Sequence, residues 1–344
     1  MYKLEVRNIT KKYGNKLVLN DFNISVNTGE RVSLLGPSGC GKSTVLSIIA
    51  GIIDDYQGSV ILNGCDISSL APNKRNIVIV SQENLLFPHM NVYDNIAFSM
   101  KVKKKSKDQI DSMVGKLLKE INLQGYENKK VSQLSGGEKQ RIALARALAA
   151  EPEVLLLDEA YSSLDTNLRE KMRELTIELQ KKHQITTILV THDKEEAMMF
   201  GDKMAIVLNG RIHGFDTPQN IYDKPKDRET ASFLMRDNFL EHSLGETTET
   251  IFVKPEDIEC EKATPKDKSE VICKSLYEVF ENARLEKDIV ISGSINKILY
   301  LGAKIQYLAD FNGVKIKVDS YDIEEKYALG AAVYMTFKKY CFFK

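Results

Sequence analysis

Nine consecutive residues near the N-terminus have the types and the spacing that bind phosphate. Residues 36–44 read GPSGCGKST, and their glycines let successive backbone N–H groups point at one bound anion. Lys42 is expected to reach the β- and γ-phosphates, and the Ser43 hydroxyl is expected to ligate Mg²⁺. The alternative is a glycine-rich turn that opens an ordinary helix. We predict that a nucleoside triphosphate is bound by Gly36, Pro37, Ser38, Gly39, Cys40, Gly41, Lys42, Ser43 and Thr44.

Two elements must hold this loop in place. Residues 31–35 form an apolar run that predicts a buried parallel strand, and residues 45–49 have the apolar pattern of a helix that ends near Gly51. The loop then lies at the positive end of a helix dipole, which favours a bound anion. The same helix end is expected to lower the pKa of the Cys40 thiol and to make it reactive.

The composition limits the classes of function. The 344 residues suggest two domains, and 48 basic residues balance 48 acidic ones, which gives no sign of a nucleic-acid groove. A lysine-rich stretch at 101–107 is interpreted as the solvated start of a helix. No apolar run reaches the ~18 to 20 residues that span a bilayer, and the N-terminus lacks a signal-peptide pattern. With five scattered cysteines that fit free thiols, we expect a soluble cytoplasmic protein.

A second group of residues narrows the prediction. Residues 134–141 read LSGGEKQR and precede a helix-forming run. Ser135 and Glu138 have the spacing of a capping box, which is a purely structural interpretation. Capping does not require the paired glycines Gly136 and Gly137, whereas a ligand that approaches the backbone closely does. Two anion-binding helix ends in one chain suggest a nucleotide that is gripped from both sides.

These residues and five further motifs resemble the ATP-binding subunit of an ATP-binding-cassette (ABC) transporter. Residues 134–141 resemble the signature of that family, and the strand-like run 154–157 before Asp158 and Glu159 resembles its Walker B motif. Residues 162–165 resemble the D-loop, and the run 187–190 leads to His192, the switch histidine of the family. Gln82 and Tyr13 stand where the family has its Q-loop glutamine and its adenine-stacking aromatic residue. The resemblance covers about residues 3 to 240.

The resemblance implies a role for each of these residues. Asp158 would hold Mg²⁺ together with Ser43 and Gln82, and Glu159 would act as the general base, which is typically worth ~10²–10⁴ in rate. Lys42, His192 and Gln82 would complete the catalytic group, and the implied ligands are ATP and Mg²⁺. The alternatives are solvated loop acids at 158 and 159, a structural histidine, and a surface aromatic residue at Tyr13.

The resemblance also implies an assembly. Ser135, Gly136, Gly137 and Glu138 would contact the nucleotide held by a second copy of the chain, and Asp165 would lie at the interface. Two ATP molecules would then be enclosed between two subunits. The implied partners are a second copy, two integral-membrane permease subunits and, indirectly, an extracytoplasmic solute-binding protein, with no nucleic acid. The implied location is peripheral, on the cytoplasmic face of the inner membrane.

The expected fold is α/β and has two domains. Residues 1–240 would form a P-loop NTPase cassette with a helical subdomain at about 85–150, and residues 241–344 a small β-barrel-like domain of the TOBE/OB type, which begins near residues 254–258. The polar stretch 236–250 is interpreted as the boundary between them. Alternating apolar residues on both sides of Asn312 and Gly313 predict a hairpin with a type I′ turn. Residues 261–289 are charged, are partly helical in pattern and fit this template poorly.

The C-terminal domain and residues 85–98, which resemble a permease-docking segment, favour an importer. The solute remains open among polyamine, ferric iron, oxyanion and phosphonate, with polyamine slightly favoured. An exporter would normally carry a fused membrane domain or lack such a tail. A DNA-repair ATPase would carry a long coiled coil between the phosphate-binding loop and the signature, and a ribosome-acting factor would carry two cassettes.

Overall fold

The computed structural model describes residues 2–81, 86–162, 164–235, 238–244, 247–263, 272–322, 324 and 326–343. The chain divides into two compact units, Met1–Ile221 and Tyr222–Lys344. Each unit has a hydrophobic core of its own residues: Ile48 and Leu156 belong to the first unit, and Ile291 and Tyr307 to the second.

The first unit contains ten strands and six complete helices among the described residues. The strands are β1 (Tyr2–Tyr13), β2 (Lys16–Asn27), β3 (Arg31–Leu35), β4 (Gln57–Leu62), β5 (Cys65–Asp66), β6 (Ile77–Ser81), β7 (Val154–Asp158), β8 (Thr186–Thr191), β9 (Lys203–Leu208) and β10 (Arg211–Asp216). The helices are α1 (Lys42–Ala50), α2 (Val92–Val102), α3 (Lys107–Glu120), α4 (Gly136–Ala149), α5 (Thr166–His183) and α6 (Lys194–Phe200), and α7 (Pro218–Asp223) crosses into the second unit.

A six-stranded sheet with the order β10-β9-β3-β8-β7-β6 forms the centre of this unit. Its strands β9, β3, β8, β7 and β6 are parallel, and β10 pairs antiparallel at one edge. The strands β3, β7 and β8 are buried along almost their whole length because both faces of a parallel sheet are covered. A separate antiparallel sheet has the order β2-β1-β4-β5. This is the α/β fold that the sequence predicted.

Helices α2, α3 and α4 pack around a shared apolar core. Ile96, Leu117 and Ile142 are fully buried there, and Leu86 is 8% exposed. Leu86 therefore belongs to the core, while Phe98 is 39% exposed. No helix among the described stretches combines the length and the apolar character needed to cross a membrane.

The second unit is mostly antiparallel sheet. After α8 (Arg228–Leu234) it contains β11 (Phe239–Leu244), β12 (Thr247–Phe252), β13 (Ile258–Lys262), β14 (Ile272–Cys273), α9 (Leu276–Arg284), β15 (Ile289–Tyr300), β16 (Ile305–Phe311), β17 (Val314–Ser320), β18 (Ala332–Phe337) and β19 (Cys341–Phe343). One sheet has the order β11-β12-β19, and the other has the order β13-β18-β15-β16-β17, with β14 parallel to β15. Such a sheet is consistent with the small β-barrel-like domain that the sequence predicted.

The predicted hairpin is confirmed. Strands β16 and β17 pair from Ile305↔Ser320 to Phe311↔Val314, which leaves Asn312 and Gly313 as the turn. Their φ angles are 51° and 85°, and a type I′ turn requires positive φ at both central residues. The helical pattern within 261–289 also appears, as α9.

The interpretation of residues 236–250 as a boundary is wrong. Strands β11 and β12 form an antiparallel hairpin there, with Leu240 and Ile251 directly paired and both buried. Polar residues on the exposed face hide the alternating pattern from an inspection of composition. The units separate earlier, between Ile221 and Tyr222, because Tyr222 hydrogen-bonds to Glu256 in the C-terminal part of the chain.

Candidate nucleotide site

The carboxyl ends of three neighbouring parallel strands bring the predicted site residues together. Strand β3 leads into the 36–44 loop, β7 ends at Asp158, and β8 leads to His192. In the sheet register Leu35 lies beside Thr191, and Asp158 lies beside Val190. Ligands of open α/β sheets bind at this edge, so the three segments can act on one molecule.

The 36–44 loop has the geometry of an anion cradle at the start of α1. Gly41 precedes the helix with φ 102°, and a Cβ atom there would lie 2.7 Å from Leu19 and 2.9 Å from the Val18 carbonyl oxygen. Only glycine fits this position. Helix α1 carries no acidic residue in its first turn, and therefore its free N–H groups and positive dipole end favour an anion.

Lys42 is almost completely buried against this loop. Its exposure is 4%, and Nζ donates hydrogen bonds to the carbonyl oxygens of Gly36 and Pro37, both at 2.9 Å. The ammonium therefore lies within the loop and adds a full positive charge to it. Pro37, Ser38 and Gly39 are exposed, so the loop is open to a ligand.

Ser43 and Asp158 lie in direct contact. The Ser43 hydroxyl donates to Oδ1 of Asp158 at 2.9 Å and thus joins the start of α1 to the end of β7. Burial raises the pKa of Asp158, while the Ser43 hydrogen bond and the Lys42 charge oppose that shift. A hydroxyl and a carboxylate oxygen at this separation are the hard oxygen donors that Mg²⁺ prefers.

Glu159 has an unusual backbone. Its φ is 47°, in the left-handed region that a residue with a Cβ rarely occupies, and its N–H donates to the Val190 carbonyl at 3.0 Å. Its Oε1 lies 3.4 Å from Nδ1 of His192, whose ring is half exposed. The structure thus pairs the predicted general base with the predicted switch histidine.

The D-loop and the histidine loop are joined by Arg169. Asp165 caps α5 by accepting a hydrogen bond from the Leu168 N–H at 3.0 Å. Arg169 in that helix donates to the Leu164 carbonyl at 3.1 Å and contacts the carboxylate of Asp193 at 3.4 Å. Arg169 therefore connects the predicted D-loop to the residue after His192.

The predicted signature begins helix α4. Ser135 accepts from the Glu138 N–H at 3.3 Å, and Glu138 accepts from the Ser135 N–H at 2.7 Å, which is a complete capping box. That backbone hydrogen bond lowers the pKa of Glu138, with help from the Tyr126 hydroxyl at 2.9 Å. The structural role of this pair is thus present in the single chain.

The two signature glycines differ in their surroundings. A Cβ at Gly137 would lie 2.6 Å from the Leu168 side chain, which explains that glycine within the chain. A Cβ at Gly136 would meet no atom of the described residues within 4 Å, and Gly136 is exposed. Packing within the described part of the chain therefore gives no reason for a glycine at 136.

The remaining predicted residues have mixed outcomes. Tyr13 is 50% exposed, at the end of the β1–β2 hairpin, and its ring centroid lies 4.7 Å from the ammonium of Lys11. Thr44 is half-buried in α1. Gln82 lies outside the described residues.

The expected low pKa of Cys40 is wrong, because its Sγ is buried and burial raises the pKa of that thiol.

Sequence reasoning missed two buried side chains that position this site. Arg75 is 1% exposed and donates to the carbonyls of Ile48 and Ile49 at the end of α1, at 2.8 and 3.1 Å. Gln140 in α4 donates to the Ala160 carbonyl at 2.8 Å. The only signal for Gln140 was its position inside the 134–141 segment, and none pointed to Arg75.

Comparisons with known proteins agree with this geometry. The sequence profile of the ABC transporter family matches residues 19–162. The spermidine/putrescine import ATP-binding protein PotA of Clostridioides difficile is 44% identical over 257 residues, which are 75% of this chain and 74% of that protein. The protein of the same name from Acetivibrio thermocellus is also 44% identical, over 69% of this chain and 68% of its own length.

A solved structure shows the same fold. It is an ATP-binding cassette of an ABC transporter in its ADP conformation, and it superposes with a TM-score of 0.59 at 25% identity. The match covers 67% of this chain and 98% of that structure. Extensive identity to two ATP-binding proteins and a site built from three strand ends lead to one conclusion: the chain belongs to the ABC transporter family and is one of its ATP-binding proteins.

Proposed function

We propose that this chain hydrolyses ATP to power the import of a solute through membrane permease subunits. The observation that carries the proposal is the strand-end cluster, in which Ser43 contacts Asp158 at 2.9 Å and Glu159 lies 3.4 Å from His192. The cluster lies next to the anion cradle of residues 36–44, because β3 pairs with β8 and β8 pairs with β7. Its parts are those that phosphoryl transfer to water requires.

Mg²⁺ would be held by Ser43 and Asp158, and in the family pattern by Gln82 as well. When bound, the ion neutralises charge on the phosphate oxygens. Lys42 contributes a second positive charge once its ammonium exchanges the carbonyls of Gly36 and Pro37 for phosphate oxygens. Tyr13 offers an exposed aromatic face for the adenine base.

Glu159 is the general base of the proposed reaction. Its carboxylate accepts a proton from a water molecule whose oxygen forms a bond to the γ-phosphorus, while the bond from that phosphorus to the β,γ-bridging oxygen breaks. His192, beside the same carboxylate, orients the attacked phosphate. The left-handed backbone of Glu159 sets the direction of its side chain and is the kind of strain that accumulates at functional sites.

Two copies of the chain would complete each site. Gly136 is exposed, and a Cβ atom there would meet nothing within 4 Å among the described residues, so we infer that the close approach a glycine permits serves a group outside the chain. We assign that group to the nucleotide of a second copy, contacted by Ser135, Gly136, Gly137 and Glu138, with Asp165 at the same interface. The dimer would act on two permease subunits at the cytoplasmic face of the inner membrane. An extracytoplasmic binding protein would supply these permease subunits with solute.

The proposed solute is a polyamine. Two relatives that are each 44% identical over more than two thirds of their length are named spermidine/putrescine import proteins. The C-terminal sheet of the second unit supports an importer with a TOBE-like domain in that part of the chain. Nothing in these comparisons supports the DNA-repair or ribosome-acting alternatives.

The substitution Glu159→Gln tests the catalytic assignment. It removes the proton acceptor and keeps the shape of the side chain, so ATP turnover is expected to fall by ~10²-fold or more while MgATP affinity stays within about threefold. Steady-state phosphate release and equilibrium binding of a fluorescent ATP analogue measure the two quantities. A variant that turns over within tenfold of the wild type removes Glu159 from the role of base.

Uptake in cells tests the solute. A strain that lacks this chain is expected to lose uptake of radiolabelled spermidine and to regain it with the wild type but not with Glu159→Gln. Ferric iron, sulfate and phosphonate uptake in the same strains are the controls. Restored uptake of one of these three, with spermidine uptake unaffected by the deletion, contradicts the polyamine proposal.

A further inference from the structure

Gln140 connects the signature helix to the segment that follows the catalytic base. Its side chain lies in α4, one helical turn after Gly136, and is only 5% exposed. The Nε2 atom donates to the carbonyl oxygen of Ala160 at 2.8 Å. Ala160 directly follows Glu159, so one hydrogen bond joins the signature helix to the segment of the proposed general base, 20 residues further along the chain.

The backbone around Glu159 is fixed from several directions. The Glu159 N–H donates to Val190 at 3.0 Å, and the Glu159 carbonyl accepts from the Ser162 N–H and hydroxyl at 3.2 and 2.9 Å. These bonds come from a neighbouring strand and from the turn itself. The bond from Gln140 is the one among them that comes from the signature helix, and it holds the carbonyl of Ala160, the residue that directly follows the left-handed Glu159.

Burial of the Gln140 side-chain amide costs free energy, because one of its polar atoms is not hydrogen-bonded within the described part of the chain. Among the residues that the structure describes, Oε1 of Gln140 is buried and has no hydrogen-bond partner. Apolar side chains of similar size would avoid that cost, because an unpaired buried acceptor loses its hydration without compensation. A group that is retained at such a cost at this position points to a positioning role.

We propose that Gln140 is a positioning residue that couples the signature end of α4 to Glu159 of the same subunit. In the proposed dimer, Ser135 and Gly136 at the start of α4 contact the nucleotide bound by the partner. A shift of the helix start moves Gln140, and through Ala160 it moves Glu159 over the subunit's own nucleotide. Closure on one ATP therefore positions the base that acts on the other ATP. This inference rests on the proposed function.

The substitution Gln140→Met removes the amide and keeps the length of the side chain. The matched control is Gln180→Met, because Gln180 is 3% exposed and donates to the carbonyls of Gly29 and Ile185 at 2.8 and 2.6 Å, away from the strand-end cluster. In the full-length protein, Gln140→Met is expected to lower kcat at least tenfold with KM for ATP within twofold, since small displacements of a catalytic group have large effects. Gln180→Met is expected to leave both constants within twofold.

Heterodimers with two affinity tags separate this role from support of the signature. One subunit carries Glu159→Gln, so turnover comes from the site that keeps Glu159. Placed in the subunit with intact Glu159, Gln140→Met should lower turnover at least tenfold. Placed in the Glu159→Gln subunit, whose signature completes the active site, it should have less than a twofold effect. Loss in the second arrangement only, or in neither arrangement, overturns the proposal.

If the parent heterodimer is inactive because both sites must fire together, the homodimer constants decide. Equal loss of kcat in Gln140→Met and Gln180→Met, or a rise in KM as large as the fall in kcat, then overturns the positioning role. The result for Glu159→Gln alone keeps the two hypotheses distinct. If Glu159→Gln still turns over, the proposed function itself fails, whereas loss there without loss in Gln140→Met contradicts only the present inference.

Discussion

The proposed general base, Glu159, is stabilised in a conformation that its residue type disfavours. A left-handed backbone at a residue other than glycine costs on the order of 1–3 kcal/mol and persists only where surrounding bonds fix it. At Glu159 those bonds come from Val190, from Ser162 and, through Ala160, from Gln140. The strained backbone at Glu159 thus lowers the stability of the fold, and it fixes the direction of one side chain.

Sequence reasoning works well for residues whose role is local. The glycines of the 36–44 loop, Lys42 and Ser43 are recognisable because a phosphate cradle is built from consecutive residues. The conformation of Glu159 and the bond from Gln140 to Ala160 depend on contacts between distant segments, and no local pattern records them. The pKa of Cys40 was misjudged for the same reason, because packing buries a thiol that the helix dipole alone would activate.

The reactivity of the cysteines follows from burial. Cys40 is 8% exposed with a raised pKa, whereas Cys65 is exposed. Because only the thiolate reacts, Cys40 should be alkylated more slowly than Cys65 at pH 7, and its rate should keep rising as the pH passes the pKa of an ordinary thiol. Mass spectrometry after timed maleimide treatment of wild type, Cys40→Ala and Cys65→Ala measures both rates. MgATP should protect Cys40 alone, and faster labelling of Cys40 at pH 7 contradicts the burial argument.

Among the helices, α4 and α3 begin with the same capping box but differ in position. Ser135 pairs with Glu138 at α4, and Ser106 pairs with Gln109 at α3. Alanine at either serine should lower the free energy of unfolding by about 1 kcal/mol. Only Ser135→Ala should also weaken ATP turnover, because only α4 carries the proposed signature. Urea unfolding and steady-state phosphate release measure the two effects, and equal turnover in both variants would leave Ser135 with its capping role alone.

The α4 cap also has a defined pH dependence. The pKa of Glu138 is lowered in the folded protein, so its contribution to stability is present above the pKa of the unfolded state. That contribution disappears as the pH falls through the folded pKa. The stability difference between wild type and Glu138→Gln should therefore shrink on acidification below the usual range of a glutamate.

The sequence predicts a strand or hairpin where turn residues and alternating apolar residues mark it. It does not predict the elements that lack such a pattern. The β16–β17 hairpin follows from an Asn-Gly turn between alternating runs. The β11–β12 hairpin was mistaken for a boundary, because its exposed face is rich in polar residues and its buried face has few positions. Cross-strand pairing, and not composition, identifies such strands.

At the scale of the whole molecule, the two units have separate cores and join within α7. The first unit carries every predicted site residue that the structure describes. The parallel sheet brings residues as far apart in sequence as Lys42 and His192 to the same edge, because the carboxyl ends of its parallel strands lie there. The motifs can be recognised in the sequence alone. That they lie close together follows from the order of the strands in the sheet.

The central claim is that two copies of the chain enclose ATP between the loop of one and the signature of the other. Analytical ultracentrifugation of the full-length Glu159→Gln protein tests it most directly, since we expect that variant to bind ATP without consuming it. The account predicts that MgATP doubles the mass, that adding Ser135→Arg abolishes this shift, and that Ser106→Arg, which removes a matched helix cap, does not. A protein that stays monomeric with MgATP, or one whose ATP-dependent dimer is indifferent to Ser135→Arg, would contradict the account.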